Sequence, residues 1–176
     1  EMLVAYEDRR FFDHSGLDPL AFGRAAFQLL ANGRIVSGGS TITMQLARLI
    51  EPRAERSYAA KLRQMVRAVQ IERRLTKDEI LWMYVNFVYF GNEQYGVGNA
   101  ARHYFGIPAN ELTFSEALFL VSTLAAPTTH NPRRSREAAA GHSRKMLNLL
   151  TKCAAAGIVT GKEAEKIRRR IKSGQT

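Results

Sequence analysis

The sequence has one cysteine, few histidines and no long hydrophobic run. Cys153 is the only cysteine among 176 residues, which excludes an intrachain disulfide and a zinc site built from thiolates. The histidines at 14, 103, 130 and 142 lack ligand spacing, so we expect no structural zinc. No apolar stretch approaches the roughly 20 residues that cross a bilayer. Because the chain begins with Glu1, we expect a piece of a longer protein whose membrane anchor would lie upstream.

Negative charge is also scarce. Lys and Arg number 26 against 16 for Asp and Glu, a formal net charge of +10. Such an excess favours an anionic partner: nucleic acid, an anionic membrane surface or a phosphorylated substrate. The charge alone does not choose among these three classes.

Strand signals are nearly missing, because only residues 87–90 are short and β-prone. Helix signals are frequent: Asp18 precedes Pro19, and capping boxes occur at Thr76–Glu79, Thr113–Glu116 and Thr160–Glu163. We predict helices over 19–32, 41–50, 61–74, 77–86, 99–105, from 113 to near 127, 137–156 and from 160 to near the C-terminus. The pattern indicates an all-α fold with one domain over residues 1–176, whose first 60 residues are richest in loops and chemistry.

The run EDRRFFDHSG, residues 7–16, has the densest chemistry of the chain. A Glu–Asp pair beside arginines is most often a solvated ion-pair cluster. Phe11 and Phe12 favour a site, because aromatic rings desolvate a carboxylate and raise its pKa toward that of a general base. By spacing alone, His14 is a packing or capping histidine.

A second run, GGSTITMQ at residues 38–45, places glycines ahead of hydroxyls at a predicted helix start. Ser40 and Thr41 could be simple N-caps, or the helix start could bind an anion through free N–H groups. Several cationic residues follow closely: Arg48, Arg53, Arg56, Lys61 and Arg63. They form either a solvated face or a cationic wall beside the glycine turn.

Together these runs resemble the first two motifs of the bacterial peptidoglycan glycosyltransferase family, the cell-wall transglycosylases. Lys61 with Arg63, KDEILWMYVN at 77–86 with the following YFG, and GVGNAARHYFG at 96–106 match later motifs in the same order. The resemblance extends from Glu7 to about Ile167. It implies the glycosyltransferase domain found in class A penicillin-binding proteins and in monofunctional transglycosylases.

The resemblance implies a lysozyme-like, mostly helical domain with a small membrane-proximal jaw, which polymerises lipid II into glycan strands. The residue matching Glu7 is the general base: it takes the proton of the acceptor 4-hydroxyl, which attacks C1 of the donor sugar with inversion. Polyprenyl pyrophosphate leaves. The implied location is the extracytoplasmic (periplasmic) face of the bacterial cell membrane.

The resemblance also assigns substrate-binding positions. Arg48, Arg56 and Lys61 match residues that hold the pyrophosphate. The other matched positions are Asp8, Phe11, His14, Arg24, Gly39, Ser40, Thr41, Gln45 and Asn86. No cofactor is required, and Mg²⁺ or Mn²⁺ at the pyrophosphate is an option that the resemblance leaves open. The implied partners are lipid II, the growing glycan strand, an anionic membrane surface and other cell-wall synthesis proteins, but no nucleic acid.

Four positions depart from the family pattern. Gln64 stands where a second glutamate is usual, Met44 replaces a glutamine, Arg48 a lysine and Ala60 an arginine. Met44 and Gln64 resemble the C-type subgroup of penicillin-binding proteins. Because pyrophosphate is already a good leaving group, cations matter more than a second carboxyl, and Gln64 can orient a phosphate or sugar as a neutral donor.

We therefore expect an active enzyme with Glu7 and Gln64 as its catalytic pair. The main alternative is a catalytically degenerate domain that binds lipid II or glycan. A muramidase-type hydrolase has only the expected fold in its favour. A basic nucleic-acid binder would explain the charge but not the ordered motifs.

Overall fold

The computed structural model describes residues 1–32, 39–51, 57–124 and 136–174. Within these ranges the chain is helical, and the predicted all-α class is confirmed. The one β interaction there is an isolated antiparallel bridge between Tyr89 and Tyr95, beside the β-prone run at 87–90. The α-helices in the described ranges are α1 Met2–Glu7, α2 Pro19–Asn32, α3 Ile42–Ile50, α4 Tyr58–Glu72, α5 Lys77–Phe87, α6 Val97–Phe105, α7 Phe114–Leu124, α8 Arg136–Ala155 and α9 Gly161–Lys172.

Helix starts follow the capping signals. In each capping box the glutamate carboxylate accepts the threonine backbone N–H, at 2.7 Å for Thr76–Glu79, 2.7 Å for Thr113–Glu116 and 3.2 Å for Thr160–Glu163. The hydrogen bonds from threonine lower the pKa of all three glutamates. Asp18 caps α2, because its Oδ1 accepts the N–H groups two and three residues later at 3.0 and 3.2 Å.

Two predicted helix starts are off by more than one residue, and α1 was not predicted. The fourth helix starts at Tyr58 rather than Lys61, because the Ser57 hydroxyl accepts the Ala60 N–H at 3.1 Å and caps an extra turn. The sixth starts at Val97 after Gly96, whose φ of +81° ends the preceding turn. No helix within the described ranges combines the length and the apolar character needed to cross a bilayer.

The chain divides into two compact units, Glu7–Tyr84 and Glu1–Tyr6 with Val85–Thr176. In the second, α7, α8 and α9 pack around Leu118, Met146, Leu149 and Leu150. Cys153 lies in this core and burial raises its thiol pKa, as expected for a cysteine that serves as a small hydrophobic residue. The assignment of residues 1–176 to a single glycosyltransferase domain stays a prediction.

In the unit Glu7–Tyr84, α3 packs against α4 and buries Ile42, Met44 and Leu46. Gly16 lies against α4 with φ of +93°, and a Cβ atom there would be 2.9 Å from the Ala68 carbonyl carbon and oxygen. Glycine is therefore required at this position for two reasons: its positive φ and the close approach of the Ala68 carbonyl.

We expect Gly16→Ala to destabilise the protein more than Gly106→Ala. Gly106 also has positive φ, +74°, but a Cβ there meets no atom within 4 Å. The backbone angle costs about 1 kcal/mol at both sites, and the contact with Ala68 adds about 1–3 kcal/mol at Gly16 alone. Urea unfolding measures both losses, and equal losses would contradict the close approach.

Candidate active site

Glu7, the predicted base, is half-buried at the last residue of α1. Its Oε2 accepts a hydrogen bond of 2.9 Å from Nε2 of Gln45 on α3. The structure thus joins the first two sequence motifs at two of the predicted site residues. Because the donor is a neutral amide, the contact orients the carboxylate without a counter-charge.

Tyr84 on α5 completes this contact, and the sequence analysis did not single it out. Its hydroxyl donates to Oε1 of Gln45 at 2.9 Å, and the side chain is almost fully buried. Burial, and after it the negative charge of Glu7, raises the pKa of Tyr84, while Arg48 opposes the shift. The hydroxyl is therefore protonated and acts as a donor. Tyr84 lies in the run 77–86 that matches a family motif, and that match was the available signal, because helical spacing alone marks a tyrosine on a buried helix face as core.

Asp8 and His14, predicted to bind substrate, are directed at each other and are both 7 % exposed. His14 Nε2 lies 3.0 and 3.1 Å from the two Asp8 oxygens, and its Nδ1 accepts the Gly16 N–H at 3.2 Å. The ring proton is therefore assigned to Nε2, which donates to Asp8. In this arrangement the pair serves as a scaffold, and a direct substrate contact stays a prediction.

At the start of α3, backbone N–H groups are bonded to side chains of the chain itself. Oδ2 of Asp8 accepts the Ile42 N–H at 3.0 Å, and the Thr41 hydroxyl accepts the Met44 N–H at 3.1 Å. Thr41 also donates to the Gly16 carbonyl at 2.6 Å. The N-cap interpretation of Thr41 is thus correct. At this helix start the Asp8 carboxylate accepts the Ile42 N–H, and the Thr41 hydroxyl accepts the Met44 N–H, so both N–H groups already have acceptors within the chain.

Phe11 is fully buried and anchors the segment; its contact with a substrate stays a prediction. Lys77 Nζ lies 4.4 Å from the centre of its ring and 2.6 Å from a carboxylate oxygen of Glu72. The Thr43 hydroxyl donates to the same Glu72 oxygen at 2.6 Å. This cation–π and ion-pair network joins α3, α4 and α5 around the first motif.

Lys61 and Arg48 supply positive charge. Lys61 Nζ donates to the Ser40 hydroxyl at 2.6 Å. Burial, and after it the positive charge of Arg48, lowers the Lys61 pKa. Two cations that disfavour each other in this way form a site that an anion would stabilise. Arg48 is exposed and so accessible to a ligand.

The other predicted residues are placed as follows. Gln64 is half-buried on α4, three residues after Lys61 and on the same face. Gly39 packs on α2, where a Cβ would be 3.2 Å from the Phe22 ring. Arg24 is exposed on α2, whereas Arg56 falls outside the described residues. Asn86 is exposed near the end of α5 and belongs to the other compact unit.

A metal site does not assemble from the part of the chain that the structure describes. No three His, Cys, Asp or Glu side chains there are grouped so that they could hold an ion. Asp8, the carboxylate next to Glu7, is already bonded to His14 and to the Ile42 N–H. The described residues therefore do not fit a cage for Mg²⁺ or Mn²⁺.

Comparison with known proteins shows which protein family this chain is similar to. The sequence pattern of the transglycosylase family matches residues 1–151. Penicillin-binding protein 1A of Pseudomonas aeruginosa is 45 % identical over 130 residues, covering 74 % of this chain and 16 % of that protein. Penicillin-binding protein 1C of Escherichia coli is 43 % identical over 147 residues, covering 84 % and 19 %. The chain thus spans less than a fifth of these relatives, and their similar identities leave the C-type assignment a prediction.

Among solved structures, penicillin-binding protein 1A of Haemophilus influenzae aligns with 72 % of this chain and 15 % of its own. The sequence identity is 24 % and the TM-score is 0.48.

We expect Asp8→Asn to destabilise the unit Glu7–Tyr84 by about 2 kcal/mol or more, because one buried acceptor for His14 becomes a donor and the charge facing α3 is lost. The matched control is Asp13→Asn, whose side chain is 67 % exposed and makes only a 3.9 Å ion pair with Arg10. That variant should change the free energy of unfolding by less than about 0.5 kcal/mol. Denaturant unfolding followed by circular dichroism distinguishes the two variants. A free energy of unfolding that Asp8→Asn leaves unchanged would contradict the scaffold role.

Proposed function

The chain belongs to the transglycosylase family, and from that premise we propose that it is the peptidoglycan glycosyltransferase domain that polymerises lipid II into glycan strands. The observation that carries the proposal is the Glu7 carboxylate, held at one oxygen by Gln45. A general base needs a fixed carboxylate with one oxygen able to accept a proton. In the described residues Oε1 of Glu7 accepts no hydrogen bond.

In the proposed step, Oε1 of Glu7 removes the proton from the 4-hydroxyl of the acceptor sugar. The acceptor oxygen forms a bond to C1 of the donor sugar as the bond from C1 to the pyrophosphate oxygen breaks. The electron pair of that bond leaves with the polyprenyl pyrophosphate, and C1 is inverted. The step therefore balances with a single carboxylate: Glu7 takes the proton, and the electron pair of the broken bond leaves with the pyrophosphate.

Lys61 and Arg48 would stabilise the charge that develops on the pyrophosphate. The lowered pKa of Lys61 supports this assignment, because bringing a dianion to two mutually repelling cations relieves their repulsion. Gln64, on the Lys61 face of α4, would add a neutral donor to a phosphate or sugar oxygen. Arg24, Arg56 and Asn86 keep their family-implied substrate roles in this proposal.

A divalent cation is not required by this mechanism. If Mg²⁺ or Mn²⁺ binds, the substrate phosphates would have to supply most of its ligands, since the described residues form no cage. The net charge of +10 supports operation at an anionic membrane surface, which would concentrate a lipid-linked diphosphate. We place the activity on the extracytoplasmic side of the bacterial membrane, beside other cell-wall synthesis proteins.

Replacing the base should abolish polymerisation. We expect Glu7→Gln to lower the rate of glycan formation from labelled lipid II at least about 100-fold, because amide groups do not accept protons at neutral pH. Glu137→Gln, an exposed glutamate of α8, is the control and should retain the wild-type rate.

The same assay, read on gels with Mg²⁺ and with EDTA, separates the alternatives. Lipid II binding without polymer from the wild-type chain would favour the degenerate binding domain. Polymer from Glu7→Gln at the wild-type rate would exclude Glu7 as the base. Loss of polymer in EDTA would contradict the metal-independent step.

The cation pair gives a second prediction. Inorganic pyrophosphate should raise the lowered pKa of Lys61, because a bound anion stabilises the charged ammonium. NMR titration of ¹³C-labelled lysine side chains measures the change, with the exposed Lys166 of α9 as an internal control. An unchanged Lys61 pKa at saturating pyrophosphate would contradict the proposed subsite.

A further inference from the structure

Gln45 is the link between a buried hydroxyl and the proposed base. Its amide has two different ends, and each has a partner: Oε1 accepts from Tyr84 at 2.9 Å, while Nε2 donates to Glu7 at 2.9 Å. The amide could in principle turn by 180°, which would exchange the acceptor and the donor. Which end faces Glu7 decides whether the contact stabilises its charged or its neutral form.

We propose that Tyr84 is a positioning residue that fixes the orientation of the Gln45 amide and thereby keeps Glu7 in its ionised, proton-accepting form. The inference rests on the proposed function for its consequence in catalysis, but the coupling itself is a property of three side chains. None of the similarities reported above assigns a role to this tyrosine.

The energetics favour the observed orientation. With the amide turned, Oε1 of Gln45 would face the Glu7 carboxylate, and two acceptors repel each other unless Glu7 is protonated. The Tyr84 hydroxyl hydrogen would also lose its acceptor, and a buried unpaired donor is costly. Tyr84 is 1 % exposed, so water does not readily replace Gln45. The tyrosine thus opposes both the turned amide and the protonated carboxyl.

The position of Tyr84 suits this role. Its ring is buried on α5, and Gln45 lies on α3 one turn after the N-cap Thr41. The hydroxyl therefore reaches Gln45 from a second, separately anchored helix. Burial and the Glu7 charge both raise the Tyr84 pKa, so the phenol stays protonated and remains a hydrogen-bond donor at neutral pH.

The test uses Tyr84→Phe, which keeps the ring and removes the hydroxyl. We expect the pKa of the Glu7 carboxyl, read by ¹³C NMR of labelled glutamate in the full chain, to rise by about one unit. The acid limb of the pH profile of kcat/KM for lipid II polymerisation should move upward by the same amount. At neutral pH kcat should fall about tenfold, since the base is less well oriented.

Tyr104→Phe is the matched control. Tyr104 is also buried, and in the other compact unit its hydroxyl donates to the Phe90 carbonyl at 2.9 Å and accepts from Asn92 Nδ2 at 3.2 Å. The variant loses at least as much hydrogen bonding as Tyr84→Phe without touching Gln45, so the Glu7 pKa and the acid limb should not move. A shift in both tyrosine variants would assign the effect to general destabilisation and overturn the proposal.

A double-mutant cycle with Gln45→Met tests whether Tyr84 acts through the amide. Gln45→Met should raise the Glu7 pKa by itself, and adding Tyr84→Phe should then cause no further rise. An equal rise in both backgrounds would overturn the proposal, as would an unchanged pKa in Tyr84→Phe. If Tyr84→Phe does not fold, Gln45→Met still tests the link, because a Glu7 pKa that does not rise in that variant would overturn the proposal.

The NMR readout needs no activity, so the two proposals fail separately. A wild-type chain that makes no polymer but shows the coupled pKa shifts would contradict the glycosyltransferase and support the positioning role of Tyr84. A chain that makes polymer with an unshifted acid limb in Tyr84→Phe would support the enzyme and contradict the positioning role.

Discussion

The hydrogen bonds of the Asp8 carboxylate are the constraint on which the rest of the site depends. Asp8 accepts from His14 in its own segment and from the Ile42 N–H at the start of α3. Residue 7 is covalently next to residue 8, and residue 45 is one helical turn from residue 42. The single carboxylate that ties the first motif to α3 therefore also sets Glu7 opposite Gln45. Gly16 and Thr41 close the same junction from the other side, through the bond of 2.6 Å from the hydroxyl to the carbonyl.

Much of this arrangement follows from local sequence chemistry. Three capping boxes, the Asp18 cap and the Thr41 cap all act within four residues, so the sequence alone predicts them. The match between the first two motifs and the family pattern likewise predicts that Glu7 and Gln45 share a site. The boundary errors at Tyr58 and Val97 come from caps at Ser57 and Gly96, which carry less specific signals than a capping box.

Long-range contacts explain what the sequence did not reveal. Tyr84 meets Gln45 across 39 positions, Thr43 meets Glu72 across 29, and Ile42 meets Asp8 across 34. No periodicity within a helix specifies which buried polar atom will face it from another helix. For the same reason, the glycine-rich helix start was open to two interpretations until the Asp8 carboxylate was found there. Residues that support a site through tertiary contacts look like ordinary core or surface positions in the sequence.

The choice of hydrogen-bond partners keeps opposite charges available within one compact unit. Glu7 is held by the neutral amide of Gln45, and Lys61 by the neutral hydroxyl of Ser40. By contrast, the groups that build the scaffold are paired with each other, as Glu72 is with Lys77. Had Glu7 been paired with a cation, its basicity would be lower and the cation would be lost to a leaving group. Neutral partners orient both groups and neutralise neither, which suits a reaction that needs a base and a separate site for developing negative charge.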